Sequence, residues 1–286
     1  MFGRSPLSPV RLRLLAPAAL QPVLRSVIAE LGPAFVHRAT SAGIRLPDHL
    51  IIVATIWDRE KGGGETLPMP AGYRLVLSLP DRPSLAELRH LLAHELGHAL
   101  IGQVLAGDPV GKGLVPEYVA ELLAWEIVAE AGLHAGTEVT ISNQRIGRNR
   151  WLPDLLEISE QLEALPDREK IGLDSVAERR FKSRLFVACY ALVRAEAYAL
   201  AVEQALGLSL DREELPAALE TAIVETAAVL SAWPLPPRAN AAALEEYLVL
   251  AGSAAEAKLR GLVRFVIEPL IEANRAEFLR LAPALA

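Results

Sequence analysis

The chain has 286 residues, 52% of them hydrophobic and 22% charged, with 29 Lys and Arg against 35 Asp and Glu for a formal charge of −6. With a mean hydropathy of +0.27, this composition carries a substantial core, enough for one large domain or two modest ones, and excludes a disordered chain. The net acidity gives no general attraction to nucleic acid or anionic lipid, and a single cysteine, Cys189, excludes an internal disulfide framework and a thiolate-rich metal site.

Met1 to Leu20 has a faint look of a signal sequence, with Arg4, Arg11 and Arg13 ahead of a short apolar patch. Pro6, Pro9, Pro17 and Pro22 interrupt it, and no clear apolar core with a small-residue cleavage site follows. Pro22 to Ala42 reads as a helix ending near Gly43. Leu50 to Trp57 is β-branched-rich and reads as a buried strand. Asp58 to Ala71 holds three consecutive glycines and two prolines and reads as a flexible loop. Tyr73 to Leu79 alternates as a strand does. Lying just before the next helix, it is either an ordinary paired strand or an exposed edge able to hydrogen-bond an extended peptide.

Ser84 and Glu87 form a Ser-x-x-Glu capping box, and Leu85, Leu88, Leu91, Leu92 and Val104 then recur as an apolar stripe. This helix runs to about Ala106, where Gly107-Asp108-Pro109 stops it. Inside it lies His94-Glu95-Leu96-Gly97-His98. Histidines four apart share one helix face, and neutral imidazole is a good zinc ligand. A catalytic zinc keeps one position for water and lowers its pKa toward neutrality, and Glu95 is then the natural proton acceptor. Zn2+ is therefore the expected cofactor, against the plainer readings of a structural metal, a degenerate site or coincidence.

Gly111-Lys112-Gly113 extends the turn, and Pro116 suits the first turn of a returning helix carrying Glu117, Glu121, Ala124 and Glu126. From Asn149 onward the chain reads as almost wholly helical, near Pro153 to Leu165, Ser175 to Leu206, Arg212 to Ala232 and Ala241 to Leu281. Trp233 to Pro237 breaks it and Asn240 is a cap. Cys189, among Phe186, Val187, Ala188 and Ala191, reads as a buried small side chain rather than a nucleophile. The longest apolar stretches, such as Leu185 to Leu206, are interrupted by Arg194, Glu196 and Glu203, so no segment qualifies as a transmembrane span. A cytoplasmic location is expected.

Two histidines leave zinc one protein ligand short, and the short connector points to a carboxylate on the returning helix. His94-Glu95-Leu96-Gly97-His98, followed by Pro116-Glu117-Tyr118-Val119-Ala120-Glu121-Leu122-Leu123-Ala124, resembles the gluzincin metallopeptidases, typified by thermolysin and related aminopeptidases. The resemblance spans about residues 73 to 130, and the first motif is the more specific. Glu121 resembles the ligand of gluzincins with an aromatic residue three before it and an alanine three after, here Tyr118 and Ala124, although Leu122 stands where glycine is usual. Glu117 instead fits a Glu-x-x-Ala-acid form, in which Glu121 would hold a histidine. His98 lies about two turns before the end of its helix, which favours the more distant Glu121 over Glu117. Glu117, beside Pro116, also has a plain role as an acid favoured by the helix dipole. Glu126 is a distant third.

The resemblance also implies a donor for the tetrahedral oxyanion. Tyr190, Arg194 and Tyr198, at helical spacing, and His134 are the candidates. His90 could reach the site's rim, or be a buried or capping residue.

The expected fold is α+β and predominantly helical: a zincin-like unit over residues 1–149, with a small sheet and two motif helices, then a helical part over 150–286 that walls the cleft. The expected function is zinc-dependent hydrolysis of a peptide or protein substrate. The alternatives are a non-enzymatic helical interaction protein and a membrane-surface protein. Metal analysis should find about one zinc per chain. The His94→Ala/His98→Ala double variant should contain none, and unchanged zinc content there would dismiss the site.

Overall fold

The computed structural model describes residues 10–57, 63–105, 113–133, 190, 193–207, 209–210, 217–231 and 240–262. A four-stranded sheet is built from β1 (Arg11–Leu15), β2 (His49–Ile56), β3 (Gly63–Met69) and β4 (Gly72–Leu79). The spatial order is β1-β2-β4-β3, with β1, β2 and β4 parallel and β3 antiparallel to β4. Leu50, Ile52 and Ala54 of β2 and Tyr73, Leu75, Leu77 and Leu79 of β4 point into the core.

The helices are α1 (Gln21–Ser41), α2 (Leu85–Val104), α3 (Leu114–Glu130), α4 (residues 193–206), α5 (Ala217–Ser231) and α6 (Ala241–Leu262). The result is a predominantly helical α+β fold. No described helix is long and apolar enough to cross a membrane.

Sequence and structure differ instructively around the sheet. The stretch read as a flexible loop, Asp58 to Ala71, contains β3, which pairs with β4 from Gly63–Ser78 to Met69–Gly72 across the two-residue turn Pro70-Ala71. Glycine and proline argue against a strand locally, but β4 supplies a ready ladder, and Pro68 is tolerated because β3 is an edge. Consequently β4 is not an exposed edge. It is hydrogen-bonded on both sides, by β2 and β3. The Arg11–Leu15 segment, for which the sequence suggested no element, is β1.

The expected capping box opens α2: Glu87 N–H donates to Ser84 Oγ at 3.1 Å, and Ser84 N–H donates to Glu87 Oε2 at 3.1 Å. Ion pairs then tie the helices together. Arg89 of α2 meets Glu30 of α1 at 2.7 Å, and Arg38 of α1 meets Glu126 of α3 at 2.5 Å. Glu126 thus faces α1. Asn240 caps α6, accepting from Ala243 N–H at 2.9 Å, and Ala241 N–H donates to Ala42 O at 3.0 Å, so α6 is anchored to the end of α1.

The expected boundary at 149/150 and the expected helix at Pro153 to Leu165 lie outside the described residues. Within them, one apolar cluster joins Leu31 and Phe35 of α1, Leu92 and Leu96 of α2, Val119 and Leu123 of α3, Val193 and Ala197 of α4, Ile223 of α5 and Tyr247 of α6.

Within that core α2 and α3 approach one another closely. A Cβ added at Gly97 would lie 2.7 Å from Ala120 O and 3.1 Å from Ala120 Cα, so the two backbones touch there. His94 and His98 flank Gly97 by three residues before and one after, and Glu117 and Glu121 flank Ala120 by the same offsets. Gly97→Ala should therefore lower stability by about 1–3 kcal/mol, the scale of overpacking a filled core. At Gly261, where nothing lies within 4 Å of an added Cβ, alanine should be neutral or stabilising because it favours helix. Thermal unfolding of both variants checks this, and equal melting temperatures for them would contradict the close contact.

Candidate metal centre

On α2, His94 and His98 sit one turn apart, both nearly buried, with Nε2 atoms 3.2 Å apart. On α3, Glu117 faces both: its Oε2 lies 3.6 Å from His94 Nε2 and its Oε1 3.8 Å from His98 Nε2. His94, His98 and Glu117 form a cluster whose donor atoms all lie within 4.8 Å of one another and could hold a metal ion. A tetrahedral zinc with bonds of about 2.0–2.1 Å separates its donors by about 3.3–3.4 Å. The observed separations bracket that value, so the donor set fits the ion in both chemistry and spacing.

The cluster contains Glu117, the alternative third ligand, and not Glu121. Glu121, fully buried, accepts from His94 Nδ1 at 2.9 Å, on the side of the ring away from Nε2. The preference for a carboxylate deep in the returning helix assumed that both histidines meet α3 far from its start. The contact at Gly97 and Ala120 instead brings the first turn of α3 opposite the Nε2 atoms. Glu121 holds His94 instead: its bond to Nδ1 fixes the ring and aims Nε2 at His98 and Glu117, where a bound ion would take the place of the Nε2 proton. His98 has no equivalent, its Nδ1 being buried without a hydrogen-bond partner among the described residues.

The electrostatics favour positive charge at this cluster. Burial disfavours a charged His94, but hydrogen bonds to Glu117 and Glu121 outweigh it and raise its pKa to about 10. Burial, followed by the charge on His94, pushes His98 down to about 4. Burial would raise Glu117 too, yet the His94 hydrogen bond and the positive groups around it hold it at about 2. Glu121 lies well below the carboxylate range, because His90 and His94 overcome its burial. Two buried carboxylates thus favour a proton on His94, a charge that a divalent ion would supply if bound there.

Glu95 lies on the sheet side. Thr66 of β3 donates to Glu95 Oε2 at 2.6 Å, its hydroxyl oxygen also lying 3.0 Å from the Glu95 carbonyl. A Cβ at Gly64 would fall 2.2 Å from Glu95 Oε1, so the glycine run makes room for this carboxylate. Burial pushes the Glu95 carboxyl above the usual range, against the pull of His94 and of the Thr66 bond.

From the other side, α4 brings two of the expected donors. Tyr198 hydrogen-bonds Glu117 Oε2, and its ring stands 5.7 Å from that of His94. Arg194 lies 3.8 Å from the same oxygen and 5.5 Å from the centre of the Tyr198 ring. Tyr190, pushed to about 12 by burial, is near enough to feel the charges of Glu117 and Arg194. Tyr118 fastens α3 to α4 through a 2.5 Å hydrogen bond to Gln204. His134 and Cys189 lie outside the described residues.

His90 is bonded to Glu121 at 2.8 Å. Sequence reasoning missed Thr66, hidden in the supposed loop, and Trp125, whose place one turn after Glu121 was the available signal. No family model matches the chain, and no curated protein matches it.

Zinc titrations against a competing chelator should find Glu121→Gln weakened by about 10–100-fold, the scale for losing a hydrogen-bonding support behind a ligand. Glu117→Gln should lose more. A larger loss in the Glu121 variant would restore Glu121 as the ligand.

Proposed function

We propose that the protein is a zinc-dependent peptidase in which His94, His98 and Glu117 hold the metal and Glu95 is the general base. The observation that carries this reading is Glu95 itself: a buried carboxylate, fixed by Thr66 beside a three-donor cluster yet not one of its donors. A purely structural metal site has no need of such a group.

Zinc, when bound, supplies the Lewis acidity that acidifies water and polarises a carbonyl. Glu95 would accept the proton of the attacking water and return it to the departing amine. Tyr198 and Arg194 offer an O–H and a guanidinium close to Glu117, which suits a donor to a developing oxyanion. β3 is an edge strand passing directly under Glu95, which suits a peptide or protein substrate bound in extended form. A cytoplasmic setting accords with the single cysteine.

One observation favours the alternative of a structural or degenerate site in an interaction protein. His94, Glu95 and His98 are only 8%, 3% and 7% exposed, and Tyr198 stands against His94. Hydroxamate inhibition separates the two, since it requires an open coordination position.

Glu95→Gln should keep its fold and zinc content while losing hydrolysis by at least about a hundredfold, the scale for removing a positioned general base. A peptide library first identifies a cleaved sequence, and both proteins are then compared on it. Equal rates at equal metal content would remove Glu95 from the mechanism, and no cleavage by either protein would favour the interaction reading.

A further inference from the structure

Glu121 is fully buried and its two oxygens have different partners. Oε2 faces His94 Nδ1 at 2.9 Å, whereas Oε1 lies 2.8 Å from both His90 Nε2 and Trp125 Nε1. An indole N–H can only donate, so Oε1 is an acceptor, and two donors on one oxygen fix the plane of the carboxylate. The second oxygen is thereby held at His94 Nδ1.

The donors come from both helices of the site, His90 one turn before His94 on α2 and Trp125 one turn after Glu121 on α3. Their rings stack with centroids 5.0 Å apart and an interplanar angle of 38°, which fixes each relative to the other. Nothing comparable supports His98, whose Nδ1 has no partner among the described residues. The orientation enforced on the histidine pair therefore enters through Glu121 on His94.

We propose that His90 and Trp125 are positioning residues whose joint grip on Glu121 Oε1 sets the affinity of the His94–His98–Glu117 cluster for its metal. The inference rests on the metal-centre reading above. The clamp keeps Glu121 behind His94, presents the Nε2 lone pair to the ion, and stops Glu121 from swinging in as a competing ligand.

The test is a zinc competition titration on the full chain, with thermal unfolding of each variant in chelator to verify folding. Trp125→Phe keeps a ring but loses the donor, and His90→Phe does the same on α2. Each should weaken zinc binding by about tenfold, the lower end of the range for outer supports of a ligand. The decisive comparison adds Glu121→Ala. If Trp125 acts through Glu121, the Trp125→Phe/Glu121→Ala double variant binds zinc no more weakly than Glu121→Ala alone. A Trp125 effect that persists in full without Glu121, or single variants that bind as tightly as the parent, overturns the clamp. Should Trp125→Phe fail to fold, the same cycle is run with the more exposed His90→Phe. A parent protein that binds no zinc overturns the metal centre and the clamp together, whereas unchanged affinity in the variants of a zinc-binding parent overturns the clamp alone.

Discussion

Everything at this site depends on two helix backbones touching. Gly97 has no Cβ, and Ala120 presents its carbonyl and Cα into the space that one would fill. Helices that close bring side chains within a turn of the contact directly opposite one another. His94 and His98 therefore meet Glu117 and Glu121 as two facing pairs. A larger residue at Gly97 would move α3 outward and part the donors, although no ligand had been changed.

That proximity creates an electrostatic demand. Buried charge is costly unless compensated, and here two carboxylates share the interior with two imidazoles. Glu117 lies on the Nε2 side, toward His98, while Glu121 lies behind His94. One glutamate can therefore serve a metal directly and the other through a histidine. The roles differ because positions 117 and 121 share one face of α3 but lie about 6 Å apart along its axis, so the two side chains reach opposite edges of the His94 ring.

The sheet and α4 complete the surroundings from different parts of the chain. β3 contributes Thr66 and the space at Gly64 to Glu95, and α4 contributes Tyr198 and Arg194 to Glu117. A proton acceptor on one side and hydrogen-bond donors on the other, with a three-donor cluster between them, is the arrangement from which hydrolysis is inferred.

The sequence by itself determined the local elements and the chemistry they carry. The capping box fixed where α2 begins, a β-branched-rich run marked β2, period-two alternation marked β4, and the His-Glu-His spacing placed both imidazoles on one face, because these depend only on residues a few positions apart. The tertiary structure alone decided the rest. It made a strand of a glycine-rich stretch, since β4 offered a ladder that local propensity does not know about. It set Glu117 at the Nε2 atoms of both histidines and Glu121 behind His94, since that depends on where α2 and α3 touch, and it brought Tyr198 across some eighty residues of chain to Glu117. Such choices rest on contacts between distant segments, and a helix or strand pattern fixes which face is apolar without fixing which neighbour covers it.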